Sequence, residues 1–188
     1  MSSPQALSEN DRRLVAAWAA DCAERVLALF EAEAPADTRP RDAIARTRAF
    51  ARGELGAAGE IRRRFVAGRA ARDVSGPAAV AAARAAAQAA GVAHMGAHAL
   101  GAAAYAAKAA AQSMPHRPEV LDEEVRWQLD HMSVGARQAL QRLPPVGTDT
   151  AGPLGPGLLS TGDLASVIRK LQDALSARES QGDAATDA

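Results

Sequence analysis

Residues 77–113 read PAAVAAARAAAQAAGVAHMGAHALGAAAYAAKAAAQS, and this stretch decides the fold class. Alanine is the strongest helix former, and the β-branched and aromatic residues that favour strands are scarce in it. We therefore expect a long alanine-rich helix over residues 78–113, with Gly91 and Gly96 as the points where it could break or kink. Small side chains let neighbouring helices approach closely, so this helix is predicted to lie at the centre of a bundle.

The segments on either side also predict helices and no strands. Ser8 followed by Asp11 predicts the start of a first helix over residues 9–33. Its apolar residues recur at intervals of three and four and form one face, made of Val15, Trp18, Cys22, Val26 and Leu29. Further helices are expected from about residue 39 to 53–56 and from 119 to 143. A helix over residues 57–72 is predicted to bury Leu55, Ala58, Ile61 and Phe65.

The prediction is therefore an all-α, single-domain bundle of five to six helices, with a separate C-terminal helix. Residues 144–160 contain four prolines and four glycines and are predicted to be a flexible linker. We expect a helical body over 1–143, the linker over 144–160, an amphipathic helix over 161–178 and a disordered tail over 179–188. The apolar face of the amphipathic helix must cover the body, a second copy of the chain or a partner.

Composition limits the classes of function. Lys+Arg and Asp+Glu are both 22, which gives a formal net charge of zero and no bulk electrostatic argument for nucleic-acid binding. The single cysteine, Cys22, cannot form an internal disulfide, and the N-terminus lacks the pattern of a signal peptide. No stretch is apolar enough to predict a membrane span. We expect a cytoplasmic protein that binds neither membrane nor nucleic acid.

The charges are unevenly distributed along the chain. Residues 39–72 contain ten arginines against three acidic residues, a formal charge of +7, whereas residues 1–38 contain seven acidic residues against three arginines, a formal charge of −4. These two segments could pack together with complementary fields. Alternatively, Arg62, Arg63 and Arg64 could form an exposed basic patch that contacts an acidic partner.

One polar constellation lies inside the alanine-rich stretch. His94, His98, Tyr105 and Lys108 share one face of the predicted helix, together with Gly101. Two histidines four residues apart can share a metal ion, and a bundle could complete the set with His131, Glu124 or Asp21. The alternative is that the histidines form structural hydrogen bonds between helices. Because no HExxH carboxylate accompanies the pair, we predict no metal site.

The sequence lacks the short motifs of the common enzyme classes. It has no GxSxG, no phosphate-binding GxxxxGK[ST] and no paired-cysteine spacing. Cys22 falls on the apolar face of the first helix, so we interpret it as a small buried hydrophobe rather than a nucleophile. We therefore predict no catalytic residue and no cofactor.

Five stretches carry a resemblance to a known family. They are residues 14–23 (LVAAWAADCA), 39–44 (RPRDAI), 51–54 (ARGE), 93–108 (AHMGAHALGAAAYAAK) and 124–128 (EVRWQ). In this order they resemble the immunity proteins of bacterial polymorphic toxin systems, in the all-α class numbered five, over about residues 13–144. Phe50 stands where that family commonly has a tryptophan, and the part after Pro144 has no clear counterpart in it.

The resemblance implies a cytoplasmic antidote that binds and neutralises a cognate toxin without catalysing a reaction. Two alternatives remain open on the residues alone. One is a small-molecule or metal-dependent enzyme that uses His94, His98, Tyr105 and Lys108. The other is a helical scaffold that self-associates, with the C-terminal helix as the surface of a homo-oligomer.

Overall fold

The structure, a computed structural model, describes residues 3–63 and 65–183. Within those ranges it contains nine α-helices, one short 3-10 helix at Leu158–Ser160 and no β-strand. The α-helices are α1 (Glu9–Glu31), α2 (Arg39–Ala51), α3 (Ala57–Arg63), α4 (Val66–Ala70), α5 (Pro77–Gly91), α6 (His98–Ser113), α7 (Val120–Asp130), α8 (Val134–Gln141) and α9 (Gly162–Asp183). The predicted all-α fold is confirmed, although the α-helices are more numerous than the five to six expected.

Helix α1 begins where the sequence predicts and packs against α2, α5, α6 and α8. The Asp11 N–H donates to Ser8 Oγ at 3.1 Å, which satisfies one of the donors that a helix start leaves unpaired. The predicted apolar face is buried as far as Val26, but Leu29 is only partly buried and Phe30 completes the face instead. The helical period of the apolar residues therefore predicts most of the α1 face that packs in the core.

The alanine-rich stretch forms two helices rather than one continuous helix, and the break lies beside Gly91 and Gly96, the two points where the sequence allowed one. Residues 92–97 form a turn between α5 and α6. At the start of α6, the N–H groups of Gly96 and Ala97 donate to the carbonyls of Ala6 and Gln5, both at 3.1 Å. The first N–H groups of a helix have no acceptor within that helix. Here the N-terminal segment supplies acceptors for the N–H groups at the start of α6, which supports the beginning of a new helix at this point.

Helices α5 and α6 pack closely and run antiparallel. Gln88 contacts His98, and Arg84 contacts Tyr105, so positions that advance along one helix recede along the other. The alanines between them are fully buried or nearly so, because a methyl side chain lets two backbones come close. The predicted close approach of alanine-rich helices at the centre of the bundle is therefore found between α5 and α6.

The segment predicted as one helix over residues 57–72 is divided into α3 and α4, and Arg64 between them lies outside the described residues. The predicted apolar stripe is wrong: Phe65 is 62% exposed, Ala58 is also exposed, and Leu55 and Ile61 are only partly buried. The buried residue of α3 is Glu60, whose carboxylate accepts from Arg46 Nε at 3.1 Å. Pairing with a guanidinium is what allows a carboxylate to be buried.

The proline- and glycine-rich segment 144–160 is attached to the body rather than extending from it as a free linker. Leu154 is fully buried in the core. The buried Gln5 side chain donates from Nε2 to Asp149 Oδ2 at 2.7 Å and to the Ala151 carbonyl at 2.6 Å, and its Oε1 accepts from the Leu154 N–H at 2.9 Å. The Gln5 side chain thus forms hydrogen bonds with polar groups of this segment that lie outside any α-helix or β-sheet.

Helix α9 covers the body of the same chain, where it packs against α6, α7 and α8. Its predicted apolar face is buried and consists of Leu164, Val167, Ile168, Leu171 and Leu175. The helix continues to Asp183, beyond the predicted boundary at 178, and residues 184–188 of the predicted disordered tail lie outside the described residues. The division of the chain into separately folding units stays a prediction.

In the part of the chain that the structure describes, no helix is both long enough and apolar enough to cross a bilayer.

Candidate functional site

The first half of the arginine-rich segment is neutralised by carboxylates. The ion pairs join Arg39 to Asp37 and Asp73, Arg41 to Glu31, Arg46 to Glu60, Arg48 to Asp21 and Glu24, and Arg52 to Glu54. Four of these carboxylates belong to the acidic segment 1–38. For α2, therefore, the interpretation that the basic and acidic segments pack with complementary fields is confirmed.

The second half of that segment keeps its charge exposed. Among the described residues, Arg62, Arg63, Arg69 and Arg72 are exposed and make no ion pair. Arg64, the third member of the predicted patch, lies outside the described residues. We call the four described residues the arginine face. On a chain of zero formal net charge, this face gives α3 and α4 a local positive field.

A cleft with a volume of about 510 Å³ lies beside the arginine face. We call it the α4–α5 cleft. It is lined by Phe65, Gly68, Arg69, Arg72, Ala87, Gln88, Gly91 and His98. The lining thus combines two guanidinium groups, one exposed aromatic ring and small residues that leave room for an occupant.

His98 is fixed in the wall of this cleft by a hydrogen bond to Gln88. Their Nδ1 and Oε1 atoms are 2.7 Å apart, and because an amide oxygen can only accept, His98 Nδ1 carries the proton. A Cβ atom on Gly91 would lie 2.9 Å from His98 Cγ, and one on Gly101 would lie 2.9 Å from Gln88 Cδ. Glycine at both positions is therefore what lets the two side chains fit between α5 and α6.

The structure separates the four residues predicted to share one helix face. His94 is exposed in the turn before α6, so it is not on the helix that carries the other three. Tyr105 is 4% exposed, and its hydroxyl oxygen lies 3.4 Å from Arg84 Nη1, while Lys108 is half-buried. Of the four, His98 alone belongs to the lining of the α4–α5 cleft.

The side chains considered as further metal ligands have other partners. Asp21 pairs with Arg48, and Glu124 accepts two hydrogen bonds from Arg25 Nε, both at 3.0 Å. His131 is exposed and stacks on Trp127, with ring centroids 4.0 Å apart. Among the described residues, no three His, Cys, Asp or Glu side chains are grouped so that they could hold a metal ion.

A buried polar network between α1, α6 and α7 was missed by sequence reasoning. Trp18 Nε1 donates to the Gln128 carbonyl at 2.8 Å, and Gln128 Nε2 donates to the Ala103 carbonyl at 3.0 Å. Gln128 is fully buried, and Glu124 one turn earlier is nearly so. The network holds three helices in register. The sequence contained a signal for this network: Glu124 and Gln128 are four residues apart on the inner side of α7, and polar side chains there require buried hydrogen-bond partners.

Cys22 lies where a small hydrophobe is expected. It is fully buried on α1, and burial raises the pKa of its thiol well above the usual value, with a further contribution from the negative charge of Glu124. A thiol with a raised pKa stays protonated and is a poor nucleophile. The geometry thus supports the interpretation of Cys22 as a packing residue.

These features define an all-helical bundle that presents a basic face and an open cleft, an arrangement suited to binding. Residues 5–134, more than half of the chain, match the family described as Imm-5 like putative immunity protein, and the chain belongs to that family. A search of curated proteins and a search of solved structures each gave no match. The family match includes the arginine face and the α4–α5 cleft and ends before most of α8 and all of α9.

Proposed function

We propose that this chain is an immunity protein that binds and neutralises a cognate toxin of a bacterial polymorphic toxin system. The family supports an immunity role, and that role requires binding rather than a reaction. The observation that carries the proposal further is the arginine face, whose four guanidinium groups are exposed and make no ion pair with any residue that the structure describes. In contrast, carboxylates pair with all of the nearby arginines Arg39, Arg41, Arg46, Arg48 and Arg52. The proposed place of action is the cytoplasm, consistent with a single buried cysteine.

The proposed contact surface is the end of α3, with Arg62 and Arg63 as its described members and Arg64 as the third residue of the run. Exposed charges of this kind steer association and select the partner more than they add affinity, and their effect weakens as salt rises. An acidic surface on the toxin is the complement that this face predicts.

The test begins with co-purification of the full chain and its partner from the native host. The partner should be toxic when expressed alone and harmless when it is expressed together with this chain. A captured partner that is not toxic, or a toxin from which the chain gives no protection, would contradict the proposal.

The contact surface is tested with the double variant Arg62→Gln and Arg63→Gln. Exposed substitutions usually change the free energy of unfolding by less than about 0.5 kcal/mol each, so the melting temperature should stay close to that of the wild type. Protection, and the rate of association with the toxin at low salt, should fall. Arg169→Gln, an exposed arginine of α9 without an ion pair among the described residues, is the matched control and should protect like the wild type.

A further inference from the structure

The α4–α5 cleft differs chemically from the rest of the arginine face. Arg69 and Arg72 are three residues apart, and both line the cleft, together with Phe65. The two guanidinium groups make no ion pair among the described residues, although carboxylates pair with the arginines of α2 nearby. Two cationic groups that converge on an open volume without a counter-ion favour an anionic occupant.

The apolar part of the lining restricts that occupant further. Phe65 is 62% exposed at the mouth, and Gly68, Ala87 and Gly91 contribute little side-chain volume to the walls. An exposed aromatic ring beside arginines is the combination that dominates binding energy in protein interfaces. An apolar side chain could contact the ring while a neighbouring carboxylate pairs with a guanidinium group.

We infer that the α4–α5 cleft receives an acidic peptide segment in which an apolar side chain is flanked by carboxylates. A nucleic acid fits less well, because single strands bind through successive stacking platforms and the described aromatic residues other than Phe65 are buried or half-buried. The inference deepens the proposed function and depends on it only for the source of the segment, which would be the toxin. The cleft chemistry itself is tested without the toxin.

The probe is a short end-blocked peptide in which leucine lies between glutamates, and its twin carries glutamine in place of each glutamate. Each is titrated into the ¹⁵N-labelled full chain at low salt and followed by NMR. The acidic peptide should shift the backbone amide signals of Gly68, Ala87 and Gly91, and the glutamine twin should not. Shifts spread over the whole surface, or equal shifts with the twin, would overturn the inference.

The variants separate the cleft from general electrostatics. Replacing both Arg69→Gln and Arg72→Gln should weaken binding of the acidic peptide about tenfold, the effect of losing two partly exposed ion pairs. Arg126→Gln, which replaces an exposed arginine of α7 that has no ion pair among the described residues, is the control and should bind the peptide like the wild type.

The apolar part of the cleft is tested at Phe65. Phe65→Ala should weaken binding of the acidic peptide, and Phe65→Leu should restore part of that binding. An oligonucleotide that displaces the peptide at lower concentration would point to a nucleic acid and overturn the assignment.

The two proposals can fail separately. If the chain protects against a toxin and the Arg69 and Arg72 variant protects equally well, the cleft is not where the toxin binds and the inference fails while the proposed function stands. If the acidic peptide binds in the cleft and the co-purified partner is harmless, the proposed function fails while the chemistry of the cleft is supported.

Discussion

At the scale of single residues, Gly91 shows how one missing side chain shapes the candidate site. The His98 ring packs against the backbone at this position, where a Cβ atom would lie 2.9 Å from Cγ. Gly91→Ala should therefore displace the ring, weaken its hydrogen bond to Gln88 and cost about 1–3 kcal/mol of unfolding free energy. Urea denaturation of the full chain measures this cost.

Gly59→Ala is the control for that substitution. Gly59 lies inside α3, and a Cβ atom there would meet nothing within 4 Å. The substitution should leave stability unchanged or raise it by up to about 1 kcal/mol, because alanine loses less conformational freedom than glycine in a helix. Equal effects of the two variants would show that the contact with His98 does not explain the glycine at position 91.

The same residues show where the sequence is informative about the site and where it is not. The exposed positions of Arg62 and Arg63 follow from their place on a short polar helix. The pairing of His98 with Gln88 does not, because it requires that residues 92–97 form a turn and bring two helices face to face. His94 was assigned to the same face as His98 because the helical period was extended through that turn.

At the scale of elements, α9 was predicted well as a helix and less well as a part of the fold. The intervals of three and four between its apolar residues gave its buried face, and that face needed only local information. The prolines and glycines before it indicated an absence of regular structure, and residues 144–160 contain no α-helix and only the short 3-10 helix at Leu158–Ser160. They could not indicate that this segment is attached to the helical body. Attachment depends on the buried Leu154 and on hydrogen bonds to residues far away in the sequence.

A prediction follows for α9. Leu171 is fully buried on its inner face, so Leu171→Ala should cost about 2–5 kcal/mol of unfolding free energy. Arg169→Ala, on the exposed side of the same helix, should change stability by less than about 0.5 kcal/mol.

Removal of the whole helix should have a larger effect. Because the buried face of α9 contains five large apolar side chains, a chain that ends at Pro144 should lose about 10 kcal/mol of unfolding free energy, comparable with the whole stability of a domain.

Thermal melts of both Leu171 and Arg169 variants and circular dichroism of the shortened chain measure these effects. A shortened chain that melts cooperatively near the wild-type temperature would show instead that α9 is a separable addition, as the sequence alone suggested.

At the scale of the whole molecule, Gln5 connects three regions that are far apart in the sequence. Its backbone carbonyl accepts from the Ala97 N–H, and its side chain bonds to Asp149, Ala151 and Leu154. The N-terminal segment, the turn before α6 and the segment before α9 are thereby held together. Nothing in the local sequence around Gln5 indicates this role, since each partner is at least about ninety residues away.

Gln5→Ala should therefore destabilise the whole fold. The Leu154 N–H would lose its buried acceptor, which costs about 1–3 kcal/mol. Because Gln5 joins the N-terminal segment to two distant parts of the fold, the loss should be global rather than local. Urea unfolding followed by tryptophan fluorescence and by circular dichroism should give one coincident, weaker transition. Gln138→Ala, an exposed glutamine of α8, is the control and should unfold like the wild type.

The effect of Gln5→Ala should also depend on pH. The hydrogen bond from the Gln5 side chain, followed by that from the Thr150 N–H, holds the pKa of Asp149 below its usual value. A carboxyl group with a lowered folded-state pKa stabilises the fold fully above the unfolded-state pKa of about 3.9, and that contribution is lost as the pH falls through the folded-state value. The stability difference between the wild type and Gln5→Ala should thus be constant near neutral pH and shrink below about pH 4. A difference that stays the same down to pH 3 would show that Gln5 acts through its backbone-directed hydrogen bonds alone and not through Asp149.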